Sequence, residues 1–194
     1  MFDGFLPLEL RLVSSRYWTP LSVVLLVSRW IAHFKIETVV DIGSGAGKFC
    51  VAAALAGPGR FTGLEQRPRL VSAARELARR FEVEDRVRFI DGSLGNGTVP
   101  TAEAYYLYNP FGENLFTPAG RLDEDVELGR DRFRRDVFAV EELLANAPVG
   151  TYLITYNGFG GEAPPSYREL RFDHSRTSEL CLRRKMGQEQ SRTS

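Results

Sequence analysis

The feature that most constrains the fold is the segment at residues 39–47, Val-Val-Asp-Ile-Gly-Ser-Gly-Ala-Gly. A near-continuous apolar run is typical of a buried parallel strand. Here the run contains one acid, Asp41, and is followed by glycines at alternate positions, Gly43, Gly45 and Gly47. Glycine allows the positive φ that a tight strand-to-helix turn often needs, and it lets a ligand lie against the backbone. The segment therefore predicts a strand, a ligand-binding turn and a helix in direct succession.

Predicted strands alternate with predicted helices along most of the chain. This alternation predicts an α/β fold, a doubly wound, mostly parallel sheet of seven strands with helices on both faces. Ligands of such sheets bind beyond the carboxyl ends of the strands. The predicted strands are residues 37–42, 60–64, 87–90, 104–108, 151–156, 167–172 and 179–183, and the predicted helices after residue 37 are 48–56, 68–81 and 131–145.

Residues 1–36 are predicted to form a helical N-terminal extension packed on the core. Thr19 is the predicted N-cap of its main helix and Pro20 the first helical residue, which are the preferred positions of these residue types. Residues 37–186 form the predicted ligand-binding domain. Residues 187–194 are predicted to be a disordered tail.

Composition and charge narrow the class of partner. Lys and Arg number 25 and Asp and Glu also 25, so no global field attracts nucleic acid or acidic membranes. A small molecule or a protein is therefore favoured as substrate over a nucleic acid. Cys50 and Cys181 lack metal-type spacing and are predicted to be reduced thiols, with no metal site. The sequence has no secretory signal pattern and no apolar run long enough to span a bilayer, which favours a cytoplasmic location.

The spacing of the glycines distinguishes between two kinds of cofactor loop. A dinucleotide-binding loop has the form Gly-x-Gly-x-x-Gly, and the spacing here is one residue shorter. The Asp41 carboxylate would repel a pyrophosphate, whereas it suits a ligand that carries an ammonium and a sulfonium. The segment resembles the class I S-adenosylmethionine-dependent methyltransferase family, over roughly residues 37–185. This resemblance implies a Rossmann-like fold, S-adenosylmethionine as cofactor and methyl transfer as activity.

The resemblance also implies roles for acids at the ends of the next two strands. Glu65 would hold both ribose hydroxyls, with Gln66 facing the adenine, and Asp91 would accept a hydrogen bond from the adenine amino group. A solvated loop acid at Glu65 and an ordinary Asp-Gly turn at Asp91 are the alternatives. The predicted cofactor-binding residues are Asp41, Gly43, Ser44, Gly45, Gly47, Glu65, Gln66, Asp91, Gly92, Ser93 and Asn109.

The end of the fourth strand carries the predicted catalytic residues, Asn109, Pro110 and Phe111. They resemble the Asn-Pro-Pro-Tyr/Phe motif of amino-group methyltransferases, in which the Asn side chain and the next backbone carbonyl hold a substrate nitrogen. The match is partial because this chain has one proline where the motif has two. A strand-terminating turn with Phe111 in the core is the alternative. The resemblance implies methylation of a nitrogen, or an oxygen, of a small molecule or a protein side chain.

Three segments are predicted to lie over the site. Residues 112–129 and the glycine-rich residues 157–165 are candidate lids. Tyr17, Trp18 and Thr19 are candidates to cover the cofactor, and hydrophobic packing is the alternative for these three residues. Two other functions are compatible with parts of the sequence. One is a non-catalytic S-adenosylmethionine-binding or scaffold protein, and the other, disfavoured by the loop spacing, is an NAD-binding oxidoreductase.

Overall fold

A computed structural model describes residues 2–94, 99–175 and 178–187. The chain divides into two compact units, Met1–Ser93 and Leu94–Ser194, whose boundary falls inside the predicted domain 37–186. The predicted border at residue 36 stays a prediction, and residues 188–194 of the predicted tail lie outside the described residues.

The first unit begins with short helical pieces and continues as a parallel β-α-β-α-β run. The strand β2 pairs in parallel with both β1 and β3, so this part of the fold agrees with the prediction. Its elements are a 3-10 turn Phe2–Phe5, α1 Leu8–Leu12, α2 Ser14–Tyr17, α3 Leu21–His33, β1 Thr38–Ile42, α4 Lys48–Ala56, β2 Arg60–Glu65, α5 Pro68–Arg80 and β3 Val87–Asp91.

The N-terminal extension is helical as predicted, but its main helix begins one residue later. Pro20 rather than Thr19 is the cap residue of α3, and its extended backbone has ψ 142°. The Pro20 carbonyl accepts the first helical hydrogen bonds from the N–H groups of Val23 and Val24, both at 3.0 Å. The fixed φ of proline suits this half-helical position as well as it suits the first helical one.

The helix α5 shows how apolar spacing fixes which side of a helix is buried. Pro68 starts the helix, where its missing N–H costs nothing. Leu70, Ala74 and Leu77 recur every three or four residues and are all buried, as a helix with one core-facing side requires. Gly47 lies close to Ala74, so this face also supports the glycine turn.

The second unit adds two parallel strands and an antiparallel hairpin. β4 pairs in parallel with β5, while β7 pairs antiparallel with both β5 and β6. Its elements are β4 Ala104–Tyr108, 3-10 turns Gly112–Leu115 and Pro118–Gly120, α6 Arg130–Asn146, β5 Tyr152–Tyr156, β6 Tyr167–Ser175 and β7 Ser178–Lys185.

The seven-stranded sheet is therefore mixed: its parallel strands agree with the prediction, and the antiparallel hairpin β6–β7 at one edge makes it not strictly parallel. The physical reason is the short interval between Ser175 and Ser178. A link of this length permits only an antiparallel pair, because a parallel pair needs a crossover of a dozen or more residues. The core of the second unit holds the fully buried Tyr106, Leu144 and Ile154.

Lys185, the last residue of β7, fixes the end of α6. Its ammonium donates hydrogen bonds to the carbonyl oxygens of Leu144, Ala145 and Ala147, at 3.1, 2.6 and 2.7 Å. A cation suits this position because the last carbonyls of a helix carry partial negative charge. Among the described residues, no helix has the length and apolar character that crossing a membrane requires.

Candidate functional site

The glycine turn after β1 crosses over the end of β2. The N–H groups of Gly43 and Ser44 both donate to the Leu64 carbonyl, at 2.9 and 3.0 Å. Gly45 and Gly47 have φ angles of 55° and 76°, in the region that favours glycine. A Cβ at Gly47 would lie 2.5 Å from the Phe89 ring, so side chains are excluded by space as well as by backbone conformation.

Ser44 has a buried hydroxyl that is left unpaired. Its Oγ makes no hydrogen bond within the part of the chain that the structure describes. Gly63 of β2 makes room for it, because a Cβ there would lie 2.5 Å from Ser44 Oγ. Buried polar atoms are nearly always paired, and an exception at a ligand loop points to a partner supplied by the ligand.

Asp41 places a carboxyl group beneath the turn. Its side chain is buried, and the Cys50 thiol of α4 donates to Oδ2 at a sulfur–oxygen distance of 3.6 Å. Burial raises the pKa of Asp41 to about 7, with the nearby Glu65 charge adding to the effect. Burial and the Asp41 charge likewise raise the pKa of the Cys50 thiol. No ammonium or guanidinium group among the described residues forms an ion pair with Asp41, so a cationic ligand would relieve its desolvation.

Glu65 is the last residue of β2 and closes the other side of the turn. Its two oxygens accept hydrogen bonds from the N–H groups of Gly45 at 3.0 Å and Arg67 at 2.9 Å. Burial raises the pKa of Glu65, and these N–H groups and the Arg67 charge oppose that shift. Glu65 is buried, so the alternative of a solvated loop acid does not describe it.

The adenine-side residues lie at the ends of β2 and β3. Glu65 and Asp91 are register partners on adjacent strands, and the Gly92 N–H donates to the Glu65 carbonyl at 3.0 Å. Asp91 is exposed, whereas Gln66 and Ser93 are half-buried. The structure thus brings together all ten predicted cofactor residues of the first unit at the carboxyl ends of three strands. Their roles toward a ligand stay predictions.

Sequence reasoning missed Lys48, Cys50 and Gly63. Cys50 touches Asp41 from the next helix, and Lys48 is the first residue of that otherwise apolar helix. Gly63 carried a readable signal, because a glycine inside a strand often marks a close backbone approach. The contact of Cys50 with Asp41 depends on tertiary packing and had no such signal.

Asn109, in the second unit, follows β4 in a left-handed conformation with φ 38°. Its N–H donates to the Gly158 carbonyl at 3.0 Å, and its own carbonyl accepts from the Gly112 N–H at 3.2 Å. Its side chain is exposed and packs against Gly112, where a Cβ would lie 2.5 Å from Nδ2. Phe111 is buried, in agreement with the core role considered as the alternative for that residue.

The segment 112–129 is held in place by side chains of its own first turn. Glu113 accepts a hydrogen bond from the Leu122 N–H at 2.6 Å, and the buried Asn114 accepts one from the Gly129 N–H at 3.2 Å. These two contacts close the segment into a loop that ends at α6. Its role as a lid stays a prediction.

Two of the glycines after β5, Gly160 and Gly161, pack against α6. A Cβ at Gly160 would lie 2.5 Å from the Phe133 ring, and one at Gly161 would lie 2.5 Å from Glu141 Oε1. The Glu162 N–H donates to the same Glu141 oxygen at 3.1 Å. Close contact with the helix therefore accounts for Gly160 and Gly161, and the role of residues 157–165 as a lid stays a prediction.

Among residues 2–94, 99–175 and 178–187, no three His, Cys, Asp or Glu side chains lie together as a metal site would require. Cys50 and Cys181 are buried free thiols, as predicted. The site chemistry that the structure shows is therefore that of carboxylates, backbone amides and one hydroxyl around a glycine turn.

Comparisons with known proteins agree with this geometry. Residues 33–103 match a family described as a methyltransferase domain. The chain is similar to a ribosomal protein L11 methyltransferase from Chloroflexus aurantiacus, with 37% identity over 82 residues. That match covers 42% of this chain and 24% of the relative, so it spans about a quarter of the relative's length.

Solved structures share the fold. One is an RNA methyltransferase from Salinibacter ruber in complex with S-adenosylhomocysteine, with TM-score 0.60, 22% identity, and coverage of 88% of this chain and 94% of that one. Another is magnesium protoporphyrin IX methyltransferase from Synechocystis with bound S-adenosylmethionine, with TM-score 0.60, 13% identity, and coverage of 91% and 82%. The fold is the Rossmann-like α/β fold of methyltransferases. Residues 33–103 are thus similar to a methyltransferase domain, within a fold that methyltransferases of known structure share.

Proposed function

We propose that this protein binds S-adenosylmethionine and transfers its methyl group to an amino nitrogen of a protein side chain or a small molecule. The observation that carries the proposal is the buried Asp41 carboxyl group, which has no cationic partner among the described residues and lies beneath a glycine turn. A ligand that brings an ammonium to this carboxylate suits the site, whereas the pyrophosphate of NAD would be repelled.

The residues of the first unit fit the other parts of this cofactor. The unpaired Ser44 hydroxyl and the turn N–H groups can hydrogen-bond the methionine end. The buried Glu65 carboxylate has two acceptor oxygens, which suits the two hydroxyl groups of a ribose. These hydroxyls would replace the Gly45 and Arg67 N–H groups that the oxygens now bind. Asp91 and the Gly92 backbone flank the place where the resemblance puts the adenine. The site thus offers a complementary group for each end of the ligand.

The bound cofactor supplies a methyl group activated by the neighbouring sulfonium, and this chain's residues supply position. In the proposal, the exposed Asn109 side-chain amide accepts a hydrogen bond from the acceptor N–H and the Pro110 carbonyl accepts a second. Together they aim the nitrogen lone pair, since methyl transfer needs a near-attack distance of roughly 3–3.5 Å. A neutral amine attacks without a general base, and the extra proton of the product passes to water.

Two considerations favour a nitrogen acceptor on a protein or small molecule. The Asn-Pro-Phe segment partly resembles the motif of amino-group methyltransferases, and a relative of part of the chain is named as a methyltransferase of a ribosomal protein. The balanced charge, 25 basic and 25 acidic residues, provides no general attraction to nucleic acid. An oxygen acceptor would need a base to remove its proton, and Asn109 cannot act as one.

Calorimetry with S-adenosylmethionine, S-adenosylhomocysteine and NAD tests the cofactor assignment. We expect the first two to bind and NAD to give no heat. A chain that binds NAD and neither sulfur compound would overturn the proposal.

Methyl transfer is tested with tritiated S-adenosylmethionine, using purified ribosomal proteins, small primary amines and a transcribed RNA as separate acceptors. Label in the protein or amine fractions that is lost in Asn109→Ala supports the acceptor assignment. Label confined to RNA would contradict it. Tight cofactor binding without transfer to any acceptor would favour the non-catalytic alternative.

A further inference from the structure

The chain ahead of α3 folds onto the glycine turn. Residues 2–18, called the cover below, comprise the first 3-10 turn, α1, α2 and Trp18. They contact the rest of the first unit at the turn itself, at the start of α4 and at the end of α5. Each of these contacts involves a different kind of interaction.

The contact at the start of α4 is an ion pair with little solvent exposure. Lys48 Nζ lies 2.6 Å from Asp3 Oδ1 and donates to Ser14 Oγ at 3.2 Å. The Lys48 side chain is 7% exposed and the Asp3 side chain 23%. Lys48 is also the first residue of α4, where the helix dipole disfavours a cation. Within residues 2–94, 99–175 and 178–187, the cover supplies the polar partners of the Lys48 ammonium that compensate for this position.

The contact at the turn is the Trp18 ring. A Cβ at Gly45 would overlap the ring, so the indole lies directly on the backbone of the middle glycine. Trp18 is buried, and its Nε1–H donates to the Leu10 carbonyl at 3.0 Å. This hydrogen bond joins α1 to the end of α2, so the two short helices are connected as one piece.

The third contact is aromatic. Phe2 stacks on Phe81 at 5.0 Å between ring centroids, and Phe5 meets the same ring edge-on at 4.9 Å. Phe81 is the C-cap residue of α5. The cover is therefore held at the end of α5 by contacts that do not depend on the ion pair.

We infer that the cover is a functional part of the cofactor site, with Trp18 as a wall of the pocket and the Asp3–Lys48 ion pair as a latch that opens and closes. The inference rests on the proposed function. The inference follows from the type of contact. Apolar side chains of similar size would hold a permanent contact at least as well as an ion pair with little solvent exposure. Charged groups regain hydration when they separate, so the latch can open at lower cost than an apolar seal.

Trp18 itself provides the first test. The chain has two tryptophans, so Trp30→Phe leaves Trp18 as the single reporter. We expect S-adenosylhomocysteine to change the Trp18 emission with the midpoint found by calorimetry. Trp18→Phe, which retains Trp30, is the control and should show little change. Calorimetric binding with an unchanged Trp18 emission would overturn the inference.

Dissociation kinetics provide the second test. Asp3→Asn should raise the rate of S-adenosylhomocysteine release about tenfold, because changes at a contact act mostly on dissociation. The matched control is Glu76→Gln, which removes one acidic charge from the exposed Arg79 ion pair outside the cover. Asp3→Leu with Lys48→Met replaces the latch by an apolar contact and should slow both association and release.

These measurements distinguish failure of the latch from failure of the proposed function. Release rates of Asp3→Asn and of the apolar double variant that both equal the wild-type rate would overturn the latch and leave the proposed function intact. Wild-type protein that fails to bind S-adenosylhomocysteine at millimolar concentration would overturn the proposed function together with the cover. Measuring the melting temperature of each variant shows whether a changed rate follows from general loss of stability.

Discussion

The two units of the chain differ in what their buried and half-buried polar side chains contact. In the first unit, buried charged groups gather at the strand ends around one turn, as Asp41, Glu65 and Lys48 show. In the second unit, polar side chains such as Glu113, Asn114 and Lys185 hydrogen-bond backbone groups of loops and a helix end. The first arrangement leaves groups for a ligand to satisfy, whereas the second fixes the protein's own loops.

The two units also differ in how far their sequence matches known proteins. The family match at residues 33–103 falls almost wholly within the first unit. A cofactor imposes the same chemistry on every protein that binds it, while an acceptor imposes its own. We therefore expect changes in the first unit to act on cofactor affinity and changes at Asn109 to act on turnover.

The largest effect is expected for Gly45→Ala. The new Cβ would overlap the Trp18 ring at a φ of 55°, and overpacking alone costs about 1–3 kcal/mol. Urea unfolding should show this loss, and calorimetry should show cofactor affinity lowered at least as much. Trp18→Leu added to Gly45→Ala should restore part of the stability. No recovery in the double variant would mean that the backbone conformation, not the ring, excludes the side chain.

The second prediction is that rising pH lowers the stability of the free protein and raises its affinity for the cofactor. The pKa of Asp41 in the folded protein is about 7, above its unfolded value of 3.8. The folded state then holds a proton that the unfolded state has lost, so the contribution of Asp41 to stability falls as the pH rises from roughly 4 to 7. Cofactor affinity should instead rise about tenfold per unit up to pH 7, because the carboxylate is the form that binds an ammonium.

Both pH trends are checked by urea unfolding and by titration with S-adenosylhomocysteine across this window. Asp41→Asn keeps the shape and removes the titration, so the affinity of that variant should be low and independent of pH. A wild-type affinity that does not change between pH 5 and 7 would contradict the role of Asp41.

A comparable loss of affinity, without a side chain at a positive φ, is expected for Glu65→Ala. Loss of hydrogen bonds to a charged group should weaken S-adenosylhomocysteine binding by about 1.5–3 kcal/mol, measured by calorimetry. The change also leaves the N–H groups of Gly45 and Arg67 without their partner, so Glu65→Gln, which keeps one acceptor, is the control. An unchanged dissociation constant in Glu65→Ala would exclude this residue as the ribose ligand.

The smallest effect on cofactor affinity is expected for Asn109→Ala, which changes the second unit. S-adenosylhomocysteine should bind within about threefold of wild type, since loss of a peripheral contact costs under 1 kcal/mol. Turnover should fall by more than this, by tritium transfer. Because φ is 38° at this position, Asn109→Gly separates the side chain from the backbone. Full activity in Asn109→Gly would show that only the conformation matters.

The sequence was informative where local patterns determine structure. The spacing of Leu70, Ala74 and Leu77 fits the buried face of α5, and the glycine spacing predicted the turn after β1. It was less informative where contacts join distant residues. Asp3 and Lys48 lie 45 positions apart, the difference of their numbers, and no local pattern marks them as a pair.

The last two strands and the glycine-rich segment after β5 show what local sequence patterns leave open. The last two strands were predicted without a direction, although the few residues between them allow only an antiparallel hairpin. The glycine density at residues 157–165 predicts a lid, and the same density suits the close packing of Gly160 and Gly161 against α6. Distinguishing flexibility from packing at these glycines needs the position of Phe133, which depends on tertiary structure.

The two cysteines have a practical consequence for labelling. Cys50 and Cys181 are both buried, and burial raises the pKa of each thiol, that of Cys181 to about 12. Maleimides react with accessible thiolates, which these residues do not present near neutral pH. A cysteine introduced on the exposed side of α1, such as at Leu12, could therefore carry a fluorophore without removal of the native pair.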